Sequence, residues 1–143
     1  MRRFDGWTMA WLFGCIAFAI HIAEEIAYGS FGMYADFNVF VNTLFPSIDL
    51  PPYKYEIWLT NLVGACVLLF AFTWLVYVKR GPMRVASYLF ATFLTLNGMG
   101  HLYAALSMTT YFPGAVTASL LVIAGLVLFV AIPESDSAAA STH

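Results

Sequence analysis

Between Tyr55 and Val78 the sequence reads YEIWLTNLVGACVLLFAFTWLVYV, a run in which Glu56 is the only charged residue. An α-helix needs about 20 mostly apolar residues to cross the hydrocarbon core of a bilayer. Three further segments have the same character: Trp7 to Tyr28, Arg84 to Leu106 and Ala115 to Ile132. Each is expected to be helical, because an isolated strand cannot satisfy its backbone hydrogen bonds in lipid and these runs lack the alternation of barrel strands.

The overall composition fits a membrane protein and excludes several other classes. Of the 143 residues, 62% are hydrophobic and 10% are charged, whereas soluble domains carry roughly 25% charged residues. A net charge of −2 offers no basic surface for nucleic acid. We therefore predict an all-α, four-helix transmembrane bundle over residues 1–132 with the lipid bilayer as its partner. The Ser- and Ala-rich residues 133–143 are predicted to form a disordered cytoplasmic tail.

The basic residues predict how the bundle is oriented. Five of the six lie on one side of the predicted membrane: Arg2, Arg3, Lys79, Arg80 and Arg84. Only Lys54 lies on the other side. Cytoplasmic loops carry an excess of Lys and Arg, so both termini are expected in the cytoplasm and the loop from residue 29 to residue 54 outside.

That outer loop contains a second periodic signal. Its apolar residues follow the i, i+3, i+4, i+7, i+8 spacing of one helix face: Phe37, Phe40, Val41, Leu44 and Phe45. A short helix lying in the membrane interface is predicted, with Asp36 as its N-cap. Such a helix either covers the outer half of the bundle as a lid or serves as a spacer.

Ionisable residues inside the spans point to one site. His21, Glu24 and Glu25 project into one arc of the first helix, and Asn97 and His101 stack on one face of the third. The first and third spans run in the same direction, which places the five side chains in the outer leaflet. Each charged group costs roughly 2.5–3.5 kcal/mol at the bilayer centre, and this cost is too large for packing alone.

These five residues suit acid–base catalysis without a metal. Two neighbouring carboxylates cannot both ionise freely in lipid, so one of them stays protonated or is paired with an imidazole. The substrate would be a hydrophobic small molecule that enters from the bilayer, such as an isoprenoid, a sterol or a quinone. The predicted substrate-binding residues are Thr117, Asn61, Tyr28, Tyr103 and Trp58.

Two alternatives stay open at this stage. His21, Glu24, Glu25 and His101 are also the donors of a mononuclear zinc or iron site, which would make the chain a metal-dependent hydrolase or oxidase. A dinuclear site is harder to build. Di-iron bundles use Glu-x-x-His pairs from two helices, whereas this sequence has one pair, in the order His-x-x-Glu. The third possibility is a non-enzymatic lipid- or pigment-binding protein, or a subunit of an oligomer or membrane complex.

Three short motifs carry a family resemblance. Residues 21–25 read HIAEE, residues 97–101 read NGMGH, and residues 113–117 read PGAVT. In this order, H-x-x-E-E, N-x-x-x-H and P-G-x-x-T resemble the motifs of the HXXEE family of small integral membrane proteins. The resemblance implies a bacterial cell membrane and adds Pro113 and Gly114 to the candidate site. It implies no particular reaction.

Overall fold

The computed structural model describes residues 5–29, 31–47, 54–108 and 111–133, and within them it is all-α, as predicted. The described helices are α1 (Gly6–Tyr28), α2 (Phe31–Leu44), α3 (Tyr55–Tyr77), α4 (Pro82–Ser107) and α5 (Ala115–Ala131). α1, α3 and α4 are long and apolar enough to cross a membrane, whereas α5 is apolar but has only 17 residues. The predicted bounds of these four helices agree with the structure to within two residues. The predicted disordered tail lies, from residue 134 onward, outside the described residues.

Helix α2 begins earlier than the sequence pattern predicted. Gly29 ends α1 with a φ of 74°, in the left-handed region that glycine favours, and α2 starts two residues later at Phe31. Asp36 therefore lies in the second turn of α2, and its predicted role as N-cap was wrong. The apolar periodicity identified one face of this helix, but it carried no information on the first helical residue.

Helix α1 contacts α3, α4 and α5, and the closest pairing joins α4 to α5. Two glycines allow this close approach. A Cβ at Gly98 would lie 2.5 Å from the carbonyl oxygen of Ala118, and one at Gly125 would overlap the Thr95 hydroxyl. Small residues at such crossings let helix backbones approach closely, so α4 and α5 pack closely along much of the length of α5.

Two tryptophans fix α1 against its neighbours. The Trp7 indole donates to the Ser87 hydroxyl on α4 at 2.9 Å, and the Trp11 indole donates to the Leu69 carbonyl on α3 at 3.1 Å. Helix α3 is more peripheral, because its buried residues are only Trp58 and Val76. Most of the helix packing therefore involves α1, α4 and α5.

Asp5 links the start of α1 to the end of α3. Its carboxylate caps α1 by accepting from the Thr8 backbone N–H at 3.0 Å, and it also pairs with the Lys79 ammonium. Lys79 has a φ of 58° and lies over the Trp7 ring. Burial opposes ionisation of Asp5, but the bonds from Lys79 and Thr8 lower its pKa from 3.8 to about 2.

We expect Asp5→Asn to lower the free energy of unfolding by at most about 1 kcal/mol at neutral pH. Asparagine still caps the helix, and a surface ion pair contributes little. A carboxyl group whose pKa is lower in the folded chain stabilises the fold at pH values above its ordinary pKa. This stabilisation is lost as the pH falls through the lowered pKa. The difference between Asp5→Asn and the native chain, measured by chemical unfolding, should therefore disappear as the pH falls from about 3.8 to about 2. A constant difference over that range would contradict this role.

Candidate functional site

Three buried side chains converge where α1 and α4 approach their ends. The Nε2 atom of His101 lies 3.3 Å from Oε1 of Glu25, and the Nε2 atom of His21 lies 3.7 Å from the same oxygen. The two imidazole rings meet edge to face, with their centroids 4.6 Å apart. One ligand atom from each residue lies within 4.8 Å of the other two. This group is the ligand cluster: His21, Glu25 and His101.

The orientation of His101 is set by the turn that precedes α5. Its Nδ1 atom lies 2.8 Å from the carbonyl oxygen of Pro113, and a carbonyl only accepts, so Nδ1 carries the proton. The Phe112 ring packs against the imidazole with centroids 5.3 Å apart. In the neutral ring Nε2 is then the lone-pair nitrogen, and it faces Glu25.

The orientation of His21 is set in the same way by Thr117. The Thr117 hydroxyl donates to Oε2 of Glu24 at 2.6 Å and lies 2.8 Å from Nδ1 of His21. Because its one proton is committed to Glu24, the hydroxyl accepts from His21, and Nδ1 carries the proton. The Nε2 atom of His21 is buried without a hydrogen-bond partner in the described structure. It too presents a lone pair toward Glu25.

Glu24 and Glu25 serve different neighbours although they are adjacent in sequence. Successive helical residues differ by about 100° in direction, so Glu24 faces α5 while Glu25 faces the imidazoles. Besides the Thr117 hydroxyl, the Glu24 carboxylate accepts from the backbone N–H of Thr117 at 2.8 Å and of Val116 at 3.2 Å, and from the Tyr111 hydroxyl. A carboxylate at the start of a helix is favoured by the helix dipole. Glu24 is therefore an N-terminal anchor of α5 supplied by α1.

Tyr111 keeps its proton in this arrangement. Partial burial and the hydrogen bond to Glu24 raise the pKa of Tyr111 to about 12. The hydroxyl is consequently a donor to Glu24 at neutral pH. The Tyr28 ring packs against that of Tyr111 with centroids 4.9 Å apart, so the two exposed tyrosines cover the outer edge of the anchor.

Gly114 makes room for both imidazoles. It has a φ of 85°, and a Cβ there would lie 2.6 Å from Nδ1 of His101 and 2.7 Å from Cε1 of His21. Any side chain would therefore require a strained backbone and would also displace the rings. The P-G-x-x-T motif thus supplies three parts of one site: a carbonyl from Pro113, space from Gly114 and a hydroxyl from Thr117.

The structure brings together most of the residues predicted for the site, but it divides them between the ligand cluster and the contacts of Glu24 with α5. Of the residues predicted as catalytic or metal-binding, His21, Glu25 and His101 form the ligand cluster. Glu24 does not belong to this set of possible ligands, because its carboxylate is engaged by α5. Thr117 connects Glu24 to His21, and its predicted contact with substrate stays a prediction.

Other predicted residues lie elsewhere. Asn97 is half-buried one turn before His101 and takes no part in the described hydrogen bonds of the cluster. Tyr103 is 75% exposed. Trp58 is buried against Phe31 and Tyr55, and Asn61 is exposed on the same helix α3. Tyr28 packs against the ring of Tyr111, whose hydroxyl donates to Glu24.

Sequence reasoning missed the part played by Tyr111 and Phe112. Neither residue was named among the candidate site residues. Both directly precede the P-G-x-x-T motif. Their position in the turn between α4 and α5 was the available signal, since that turn contacts both histidines.

Comparison with known proteins supports the motif assignment. No curated protein and no solved structure was found to match the chain. The sequence profile of a family described as "Protein of unknown function with HXXEE motif" matches residues 11–129. That range includes all five described helices except the first five residues of α1 and the last two of α5, and it contains the three motifs that build the site. The chain therefore belongs to the HXXEE family, as its motifs predicted.

Proposed function

We propose that α1, α3, α4 and α5 cross the cell membrane as a bundle, with both termini in the cytoplasm and α2 in the outer interface. Support comes from the length and apolarity of α1, α3 and α4. At 1.5 Å per residue, the 17 residues of α5 reach about 25 Å, near the lower limit for a span. The basic residues at the ends of α3 and α4 favour the stated orientation.

We further propose that the chain is a membrane-embedded, metal-dependent enzyme acting on a lipophilic substrate. One observation carries this proposal. Both histidines have Nδ1 occupied by an acceptor and direct Nε2 toward the same Glu25 oxygen, and the Nε2 atom of His21 has no hydrogen-bond partner in the described structure. Two imidazoles and one carboxylate are the protein ligands of many catalytic zinc sites and of non-haem iron oxygenases.

The separations between the candidate ligand atoms agree with this interpretation. Metal–ligand bonds of about 2.0–2.1 Å at tetrahedral angles place two ligand atoms about 3.3 Å apart. Oε1 of Glu25 lies 3.3 Å from Nε2 of His101 and 3.7 Å from Nε2 of His21. Three protein ligands leave a coordination position for water or substrate, which distinguishes a catalytic site from a structural one.

The surrounding groups match those found behind metal-bound histidines. Such histidines usually donate their other ring N–H to a carbonyl or carboxylate, which fixes the tautomer and raises ligand basicity. Pro113 does this for His101, and Thr117 with Glu24 does it for His21. Gly114 keeps the rings in place by leaving them room.

The bound ion would supply Lewis acidity and an activated water for hydrolysis, or redox chemistry for oxidation. The chain's own residues would hold that ion, orient it and limit access of water. The cluster lies where α1 and α4 end, so a hydrophobic molecule dissolved in the outer leaflet would approach it with its polar group first. An isoprenoid, sterol or quinone has this character.

A second candidate is acid–base catalysis without metal. The 3.3 Å separation between Glu25 and His101 also suits a shared proton, and such a pair is a competent donor near neutral pH. This alternative accounts for His101, but it leaves Nε2 of His21 buried without a hydrogen-bond partner. Metal ligation uses both histidines, so we rank it first.

Elemental analysis of the detergent-purified chain tests the proposal. We expect about one zinc or iron per chain, and a loss of at least 100-fold in metal affinity for Glu25→Gln and for His101→Gln, since each removes a ligand atom. Co²⁺ substitution provides a second measurement, because its absorption reports coordination. Glu56→Gln is the matched control: it removes an exposed carboxylate on α3 and should leave metal content unchanged.

Two outcomes separate the candidates. A native chain that contains no metal and binds none on titration, yet converts a co-purified lipid in a Glu25-dependent reaction, would favour acid–base catalysis. Equal metal binding by Glu25→Gln and the native chain would exclude the ligand cluster as the metal site.

A further inference from the structure

A second candidate binding site lies at the opposite end of the helices from the ligand cluster. Here α1 and α4 begin and α3 and α5 end, and they surround a cavity of about 260 Å³. Its lining consists of Trp7, Lys79, Arg80, Gly81, Arg84 and Pro133. Three of these six residues are basic, so the cavity is suited to an anion.

The three basic residues are not equally engaged. Lys79 is paired with Asp5 and lies over the Trp7 ring, 4.6 Å from its centroid. No carboxylate of the described residues forms an ion pair with Arg80 or Arg84. Among the described residues, the charges of Asp5 and Lys79 therefore cancel, and the two guanidinium groups leave the cavity with a net positive charge.

We propose that this cavity binds the phosphate headgroup of an anionic phospholipid. A guanidinium group presents paired donors that match phosphate oxygens. Basic cavities between transmembrane helices on the cytoplasmic side are suited to anionic headgroups. This placement rests on the membrane insertion proposed above, but not on the metal site.

The exposed apolar surface that follows Arg84 in α4 favours a lipid over a free phosphate as the occupant. Directly after Arg84, helix α4 exposes Val85 to 63% and Leu89 to 67%. These residues are one turn apart and form an apolar strip leading away from the basic end. A phospholipid would place its phosphate between Arg80 and Arg84 and its acyl chains along this strip, whereas a soluble phosphate would leave the strip unused.

Native mass spectrometry of the full chain in detergent tests the site. The probes are phosphatidylglycerol and phosphatidylcholine with identical acyl chains. We expect phosphatidylglycerol to bind at least about tenfold more tightly. The double variant Arg80→Gln with Arg84→Gln should weaken that binding about 5- to 30-fold, because each basic residue near an anionic lipid contributes about a factor of five.

Control variants distinguish the loss of this lipid site from a general loss of positive charge and from misfolding. Lys54→Gln removes a basic residue at the other end of α3 and should leave lipid selectivity unchanged. Arg80→Lys with Arg84→Lys keeps both charges but loses the paired donors, and binding should fall between that of the native chain and that of the Gln variant. Glu25→Gln should keep full selectivity, so the lipid site and the metal site can fail independently.

Three results would overturn the proposal. The first is equal binding of the two lipids, and the second is native-like selectivity in the double Gln variant. The third is selectivity that emerges only when Glu134 and Asp136 are replaced by Gln and Asn. That result would mean that the acids following Pro133 in sequence, and not a lipid, neutralise the two arginines.

Discussion

Replacing Gly114 by alanine is expected to reduce metal affinity by at least 100-fold and to destabilise the chain. The residue has a φ of 85°, and the new methyl group would lie 2.6–2.8 Å from both imidazoles. The backbone conformation alone costs about 1–3 kcal/mol for a non-glycine residue. The overlap also pushes the ligands apart, and even changes that only disturb ligand orientation cost 10- to 100-fold in affinity.

Two other glycines provide matched controls for this variant. Gly29 also has a positive φ, 74°, but a Cβ there would meet nothing within 4 Å. Gly29→Ala should therefore show the backbone cost with unchanged metal affinity. Gly100→Ala, next to His101 in a helix and facing open space, should be neutral or slightly stabilising. If Gly114→Ala loses no more affinity than Gly29→Ala, the collision with the histidines is not what makes glycine necessary.

Replacing Glu24 by glutamine is expected to cost about 1.5–3 kcal/mol of unfolding free energy and 10- to 100-fold in metal affinity. Hydrogen bonds to charged groups contribute about 1.5–3 kcal/mol, and the neutral amide keeps one acceptor oxygen, so its NH2 group would face the N–H of either Val116 or Thr117. The affinity loss follows because Thr117 would no longer be fixed as the acceptor from His21. Unfolding in mixed micelles and a metal titration measure the two effects.

Substitutions at Thr117 and Tyr111 divide this network into its parts. Thr117→Val removes the link to His21 and should lower metal affinity, whereas Thr117→Ser keeps the hydroxyl and should restore it. Tyr111→Phe removes one hydrogen bond to Glu24 and should lower stability by about 1 kcal/mol with little change in affinity. A Glu24→Gln variant with native stability and native affinity would rule out the anchor role.

The helices were predictable because their lengths are set by long apolar runs. The bounds of α1, α3, α4 and α5 follow directly from where those runs stop. The start of α2 was predicted too late, although Met33 and Tyr34 continue the same apolar spacing four and three residues before Phe37. Whether α2 lies in the membrane interface stays a prediction.

The candidate site was predictable as a set of residues, but not as an arrangement. Helical spacing relates His21 to Glu25, and the parallel direction of α1 and α4 brings His101 to the same level. Spacing cannot tell that Glu24 faces α5, because this depends on where the start of α5 packs. The need for space beside Gly114 is likewise set by two imidazoles on other helices, and that of His21 lies 93 residues away in sequence.

The separation of the ligand cluster along the chain has a consequence for biosynthesis. His21 and Glu25 leave the ribosome long before Thr117, and at about 5–20 residues per second the 92 residues from Ile26 to Thr117 take roughly 5–20 s to synthesise. On the membrane placement proposed above, α1 would enter the bilayer during this interval without α5 and without the second histidine. On that placement, both carboxylates lie in the last turns of α1, close to the headgroups, which would keep the nascent helix insertable until its partners have been made.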